Sequence, residues 1–481
     1  MKRFLIFCIL IYVLIPHLTS PAHAANIKFG IDASNSPPLL YKFDDPNFTL
    51  ATGGFIYEVT VAIAEDLNQD YSISPLPESR MIRDLRLANI DLVCHISPLW
   101  DLASQDEFLW SDPLYTYSNI LVGKKEIQFK TLEQVSNVTI GTVEKYFYHD
   151  LEEKFKNKIL QRDDSASVMG SLKKLLDNRL DYVVMTELEF NLYKTTYPQL
   201  QKSSFNLDKT EIHCSLSKKS ALSLKKLNKT ITHLKNKKEF QKINTRYSNS
   251  KTTPRPIAYG MNDSNSPPFL QIDNSTETPI IQGGLFFDLG LELGKKLKRP
   301  IHFMLSPRKR LDSGLADGEI ELVCYNAEAW AGNYAKDYNW SIPIFKQSNL
   351  VVGLKNTMEN VQIKSLKDLK GKTLGTALGF VYPALMPYFK DGSIKREDAL
   401  SGLTNITKLH SDRVQYIILN NLEYNYYRKK YTNLKQAPFE IDPVNVKCAS
   451  SKKSDLKISD INTAVVELKK NGRLQKVFLP H

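Results

Sequence analysis

Two arginines stand where a planar cationic fork could hold an anion. Arg80 and Arg310 each lie 14 residues before a cysteine, Cys94 and Cys324, just past an expected strand and at an expected helix start. A guanidinium there suits a carboxylate or a phosphate. Trp100 and Trp330 follow the same two cysteines by six residues, and an indole at a strand end can stack on a ring or a cation. Ser97 and Asn326, close behind the cysteines, offer hydrogen bonds. Thr142 and Thr376 follow a glycine where a strand hands over to a helix; backbone N–H groups at such a junction receive anions, or the hydroxyl simply caps the helix. These are binding side chains. No Gly-x-Ser-x-Gly, no phosphate loop and no histidine pair with metal spacing occurs. His95 and His213 sit beside cysteines, but the matching positions later in the chain are Tyr325 and Lys447, which argues against a zinc site. The residues predict no catalytic group, no metal and no cofactor.

The pairing of these residues reflects a duplication. The stretch Asp91 to Gly123 recurs as Glu321 to Gly353, 230 residues on and without a gap. Cys94 matches Cys324, Trp100 matches Trp330, Trp110 matches Trp340, and Pro113 matches Pro343; all four tryptophans fall in the two copies. Later matches run at an offset of 234: Tyr148 with Tyr382, Arg179 with Arg413, Glu189 with Glu423, Cys214 with Cys448. In each copy a short strand (27–31, 257–261) runs into a Pro-Pro pair. A Gly-Gly pair then precedes an amphipathic helix, and a strand containing Leu-Val-Cys follows, apolar enough to be buried on both faces. Strands alternating with helices predict parallel βαβ units, an α/β class. A second lobe opens near 138–142, with a helix expected over 146–158. A basic amphipathic helix closes the copy with Leu222, Leu227, Ile231 and Leu234 on one face.

Lys2 and Arg3, an apolar run from Phe4 to Ile15, and Ala22-His23-Ala24 have the layout of a secretory signal peptide. The apolar run is short of the ~20 residues that span a bilayer. Cleavage after Ala24 is expected, with a periplasmic or secreted product that does not span the membrane. The expected divisions are signal peptide 1–24, first domain 25–246, linker 247–256 and second domain 257–481. The net charge of +12 comes from scattered lysines; solvated helix faces explain it better than a nucleic-acid partner, for which no motif is present. An exported chain meets oxidising conditions. Each copy carries one cysteine in Leu-Val-Cys and one late in the copy, so the repeat predicts bridges Cys94–Cys214 and Cys324–Cys448, the alternative being four buried thiols.

The order of these features is familiar. A Pro-Pro turn follows the first strand, and Gly-Gly-Phe starts a helix. Next come Asp-Leu-Val, Trp-Ser-Asp-Pro-Leu-Tyr, Thr-Ile-Gly-Thr, Arg-Leu-Asp-Tyr-Val-Val and Ser-Lys-Lys-Ser. Over residues 27–246 and 257–478 each half resembles the bacterial extracellular solute-binding proteins of family 3, the binding components of polar amino-acid transporters. The resemblance implies a tandem duplication of the type II periplasmic-binding fold. In the first copy two α/β lobes would be joined by crossings near 111–123 and 211–217, with a small-molecule ligand between them and closure by a hinge. It implies a non-enzymatic protein serving an inner-membrane ABC permease or a receptor. A lyase of the cyclohexadienyl dehydratase kind, with Glu187 as acid or base, and a sensory or scaffold module are the alternatives. The family usually follows its Asp-Leu-Val strand with Ser or Thr and then an arginine that clamps an α-carboxylate. Neither copy has that arginine, which makes Arg80 and Arg310 the substitutes. The ligand is accordingly expected to be a small polar solute, amino-acid-like or another small anionic or polar metabolite. The family also places an amine partner at the end of a second-lobe strand, where Glu187 stands in one copy and Asn421 in the other.

Overall fold

A computed structural model describes residues 26–45, 48–100, 105–249, 251–262, 267–273 and 280–478; the expected signal segment lies outside the described residues. Each copy is built on one path of strands that serves two lobes. In the first copy the order is Tyr71–Leu76, Ile27–Asp32, Leu92–Ile96, Leu207–Ser217, Tyr115–Gly123, Tyr182–Thr186, Thr139–Val143, Gln161–Ser165. The second copy repeats it strand for strand: Ile301–Ser306, Ile257–Asn262, Leu322–Asn326, Leu434–Ser451, Phe345–Leu354, Tyr416–Asn420, Thr373–Ala377, Lys395–Ala399.

Parallel pairs make the core of each lobe. The return strand Leu207–Ser217 runs antiparallel to both, pairing Leu92–Ile96 at one end and Tyr115–Gly123 at the other. That strand and the segment between Trp110 and Tyr115 are the two crossings. The architecture is the type II periplasmic-binding fold in tandem.

Leu92, Val93 and Cys94 are all buried, as a strand covered on both faces requires. Across the antiparallel pairs Cys94 faces Cys214 and Cys324 faces Cys448. Both pairs are bridged, closing loops of 120 and 124 residues, as the repeat predicts. On the chain-entropy account each is worth about 5 kcal/mol. The next residue, His95 or Tyr325, takes the left-handed conformation (φ 64° and 61°) in a locally irregular ladder, which turns the chain out of the strand. Gly54 and Gly284, at φ 113° and 124°, explain the Gly-Gly pairs: a Cβ there would lie 2.6 Å from the Leu39 carbonyl oxygen or 2.5 Å from that of Phe269.

Some elements carry no apolar pattern. Gln161–Ser165 and Lys395–Ala399 are charged edge strands, a composition that protects an open sheet edge. The helix expected over 146–158 begins only at His149, leaving Tyr146 and Phe147 in a loop. A hairpin, Tyr41–Asp45 with Phe48–Gly53, joins the copies. The Phe43 ring lies 5.5 Å from that of Phe287 and 6.0 Å from that of Phe303. Nearby, Lys476 pairs with Asp70 at 2.7 Å and Lys295 stands 4.9 Å over the Tyr71 ring. The first lobes of the two copies thus pack on each other. Among the described residues no helix is long and apolar enough to cross a membrane.

Candidate functional site

The carboxyl ends of the first copy's strands open onto a cleft between its lobes, the place where open α/β sheets bind ligands. It encloses about 90 Å³. The first lobe contributes Asp32 from the end of Ile27–Asp32, and Glu78, Met81, Ile82 and Leu85 from the helix Glu78–Leu87. His95 and Trp100 come from beyond the bridged cysteine. The crossing strand adds Tyr117 and Asn119, and the second lobe closes over with Lys145, Tyr146, Phe147, Tyr148 and Asp208. Rings dominate: Trp100 and Tyr117 meet nearly at right angles with centroids 5.7 Å apart, and His95 lies 6.1 Å and 5.2 Å from them.

The lobes touch directly across this cleft. The Tyr146 hydroxyl donates to Asp32 Oδ2 at 2.7 Å and lies 2.8 Å from Ser34 Oγ. Ser34 itself donates to Asp32 Oδ1 through its hydroxyl (2.8 Å) and its backbone N–H (2.9 Å). Burial, with the Asp32 carboxylate beside it, holds the Tyr146 hydroxyl protonated far above the usual tyrosine range. Burial also depresses His95 to about 3, so that imidazole is neutral; its Nδ1 bonds the Tyr115 hydroxyl at 2.7 Å. Asp208 is raised by burial and held down in part by the backbone N–H of Asp150. Its Oδ1 accepts that N–H at 2.9 Å, while Oδ2 is buried without a hydrogen bond. The Asn119 amide is near enough to ease the charge but completes no bond to Oδ2.

A two-lobed sheet of this order around an interlobe cleft agrees with the family comparison. The model of the bacterial extracellular solute-binding proteins, family 3, matches residues 27–250. The match spans the first copy, and the second copy repeats the same strand order. No curated relative matches the chain. Among solved structures, the periplasmic domain of B. pertussis BvgS aligns over 94% of this chain and 89% of its own, at 12% identity and a TM-score of 0.38. An ancestral arginine-binding protein bound to arginine aligns over 47% and 96%, at 25% identity and a TM-score of 0.38. A T. maritima ArgBP mutant aligns over 47% and 94%, at 19% identity and a TM-score of 0.37.

The family 3 module in the first copy places the expected ligand residues unevenly. Trp100 lines the cleft. Arg80 does not: its side chain is 60% exposed and pairs with Asp84 at 3.3 Å. The cleft face of its helix is Glu78, Met81, Ile82 and Leu85, and a residue two positions after Glu78 points roughly 200° away. Ser97 is buried against the Thr210 hydroxyl at 3.1 Å. Thr142 donates to Asp164 at 2.7 Å on the neighbouring edge strand. Glu187 is exposed and paired with Lys202, outside the cleft lining.

In the second copy Arg310 is exposed and pairs with Glu319. Thr376 donates to Asp398 at 2.6 Å, Asn421 donates to the Lys346 carbonyl, and Trp330 stands partly exposed beside Tyr325. Asn326 is buried and accepts from Arg308 Nη2 at 3.0 Å. Arg308 is the counterpart of Glu78, so the arginine beside a site residue is two positions from the expected one. Asp32, Glu78, Tyr117, Tyr146 and Asp208 were absent from the sequence reading. Asp32, at the end of the first strand, and Tyr146-Phe147, just past a second-lobe strand, occupied places where the strand-end rule could have found them.

Proposed function

We propose that this chain is an exported solute-binding protein. Its first copy captures a small polar solute between the lobes, and an ABC-type permease or a receptor reads the closed form. Capture is a population shift between open and closed lobes with no covalent step. The enclosed cleft carries this reading: a ring-walled cavity at the strand ends, with the two lobes bonded across it through Tyr146 and Asp32. Binding is favoured over catalysis because His95, Asp32 and Glu187 are committed to neighbours. His95 is neutral and bonded to Tyr115, Asp32 is engaged by Ser34 and Tyr146, and Glu187, the acid or base a lyase would need, pairs with Lys202 away from the cleft. A match to an extracellular family, two disulfides and no helix able to cross a membrane among the described residues support export to the periplasm.

The test is a thermal-shift and tryptophan-fluorescence screen of the mature chain against small polar metabolites. A solute that raises the melting temperature and changes emission supports capture, and Trp100→Phe should remove most of the emission change. Consumption of the solute, or no response from any metabolite class, would refute the reading.

A further inference from the structure

The first-copy cleft is lined with negative charge. Asp32, Glu78 and Asp208 face it, and Lys145, the one cation in the lining, stands exposed at the rim paired with Glu144 at 3.8 Å. His95 brings no charge, since burial keeps it neutral down to about pH 3. An entering anion would meet three carboxylates and no buried cation. Asp208 borders the cleft and is only 9% exposed, and its Oδ2 is buried without a hydrogen bond, as is that of the matched Asp442. Buried acceptors are rarely left so, and a ligand that donates protons completes this one. The walls add a second signal. The mutually packed rings of His95, Trp100 and Tyr117 form one side, and aromatic faces attract cations. Size adds a third: about 90 Å³ has room for roughly six to nine water-sized groups.

We propose that the first-copy cleft selects a small organic cation without a carboxylate, a short protonated amine or quaternary ammonium, with Asp208 and Asp32 facing its charge and Trp100 and Tyr117 its alkyl groups. The proposal rests on the solute-binding reading above and narrows it. The second copy has a different charge pattern: Arg308 replaces Glu78, Asn262 replaces Asp32 and Gln347 replaces Tyr117. Cation selection therefore belongs to the first copy.

Isothermal titration of the full mature chain with choline, putrescine, glutamate and citrate tests the assignment. Choline or putrescine should bind at one site per chain, and glutamate and citrate should not. Asp208→Asn should weaken binding of the amine ~30-fold or more, as loss of one partner of a buried charge pair does. Trp100→Leu, at the rim, should weaken it ~5-fold and serves if the Asp208 variant does not fold. Tight binding of glutamate or citrate with silence from both amines overturns cation selection and leaves solute binding standing. Silence from all four overturns the cation assignment, and the metabolite screen above then decides solute binding separately. Amine affinity that survives both substitutions overturns the assignment to this cleft.

Discussion

Tyr146→Phe removes a single hydroxyl and with it a direct hydrogen bond across the cleft of the first copy. The bond is short (2.7 Å) and its acceptor is the Asp32 carboxylate; bonds to charged groups are worth about 1.5–3 kcal/mol. Asp32 keeps both donors from Ser34, so no orphaned charge adds to the cost, and the lower part of that range, about 1.5–2 kcal/mol, applies. At 1.4 kcal/mol per factor of ten this is a fall of roughly 10–30-fold in the ratio of closed to open lobes. The second copy already carries the change: Phe380 stands where Tyr146 does, and it and Val381 are 59% and 70% exposed. Spin or fluorophore labels on the two lobes of the first copy should report one short distance in the wild type and a second, longer population in the variant. Solute affinity should fall by the same factor, because closure and binding share one equilibrium. An unchanged distance distribution, with unchanged affinity, would refute the view that this hydroxyl holds the lobes together.

Two further outcomes follow from burial. Glu189, buried, and Glu423, half-buried, hold matched positions in capping boxes and are each raised by desolvation to about 7. A carboxyl raised above its unfolded value stabilises the acid form, so stability is full below about pH 4.5 and falls as pH rises through 7, by up to ~3 kcal/mol per site; melting curves from pH 5 to 8 should show the decline, and Glu189→Gln with Glu423→Gln should flatten it. Phe43→Ala, which empties the hairpin contact on Phe287 and Phe303, should cost ~2–3 kcal/mol and separate the unfolding of the two copies in calorimetry, whereas a single unshifted transition would refute a coupled interface.

The fold was legible because duplication doubled every signal. Leu-Val-Cys, Gly-Gly and Pro-Pro recur at fixed offsets, and each reports a backbone or packing requirement that the structure displays: a strand buried on both faces, and a glycine whose Cβ would strike a carbonyl. The binding residues were less legible, and Arg80 shows why. Chemistry and proximity to a strand end favoured it, but helix phase decides which side chain reaches the cleft, and Glu78, Met81, Ile82 and Leu85 share the inward face. Asp208 was hidden for another reason. It sits in a return strand far along the chain from the other cleft residues, and only the long-range pairing of Leu207–Ser217 with Tyr115–Gly123 brings it beside Asn119. Gln161–Ser165 gave no periodic pattern because an edge strand is selected for charge rather than burial.

The copies differ along most of their length, and the side chains facing the first-copy cleft are among those changed. Residues that hold the backbone are kept: both bridged cysteines and the Thr142–Asp164 and Thr376–Asp398 pairs. The carboxylates of Asp208 and Asp442 are kept too, each with one oxygen on a backbone N–H, of Asp150 or Ala384, and the other unbonded. Residues that would meet solute are changed in charge or polarity: Glu78 to Arg308, Asp32 to Asn262, His95 to Tyr325, Tyr117 to Gln347, Tyr146 to Phe380. Arg308 is not idle, since it donates to Asn326 and pairs with Asp312. One scaffold thus carries strand ends of different chemistry, with a hydrogen bond across the cleft in the first copy and an uncovered apolar lip, Phe380 and Val381, in the second.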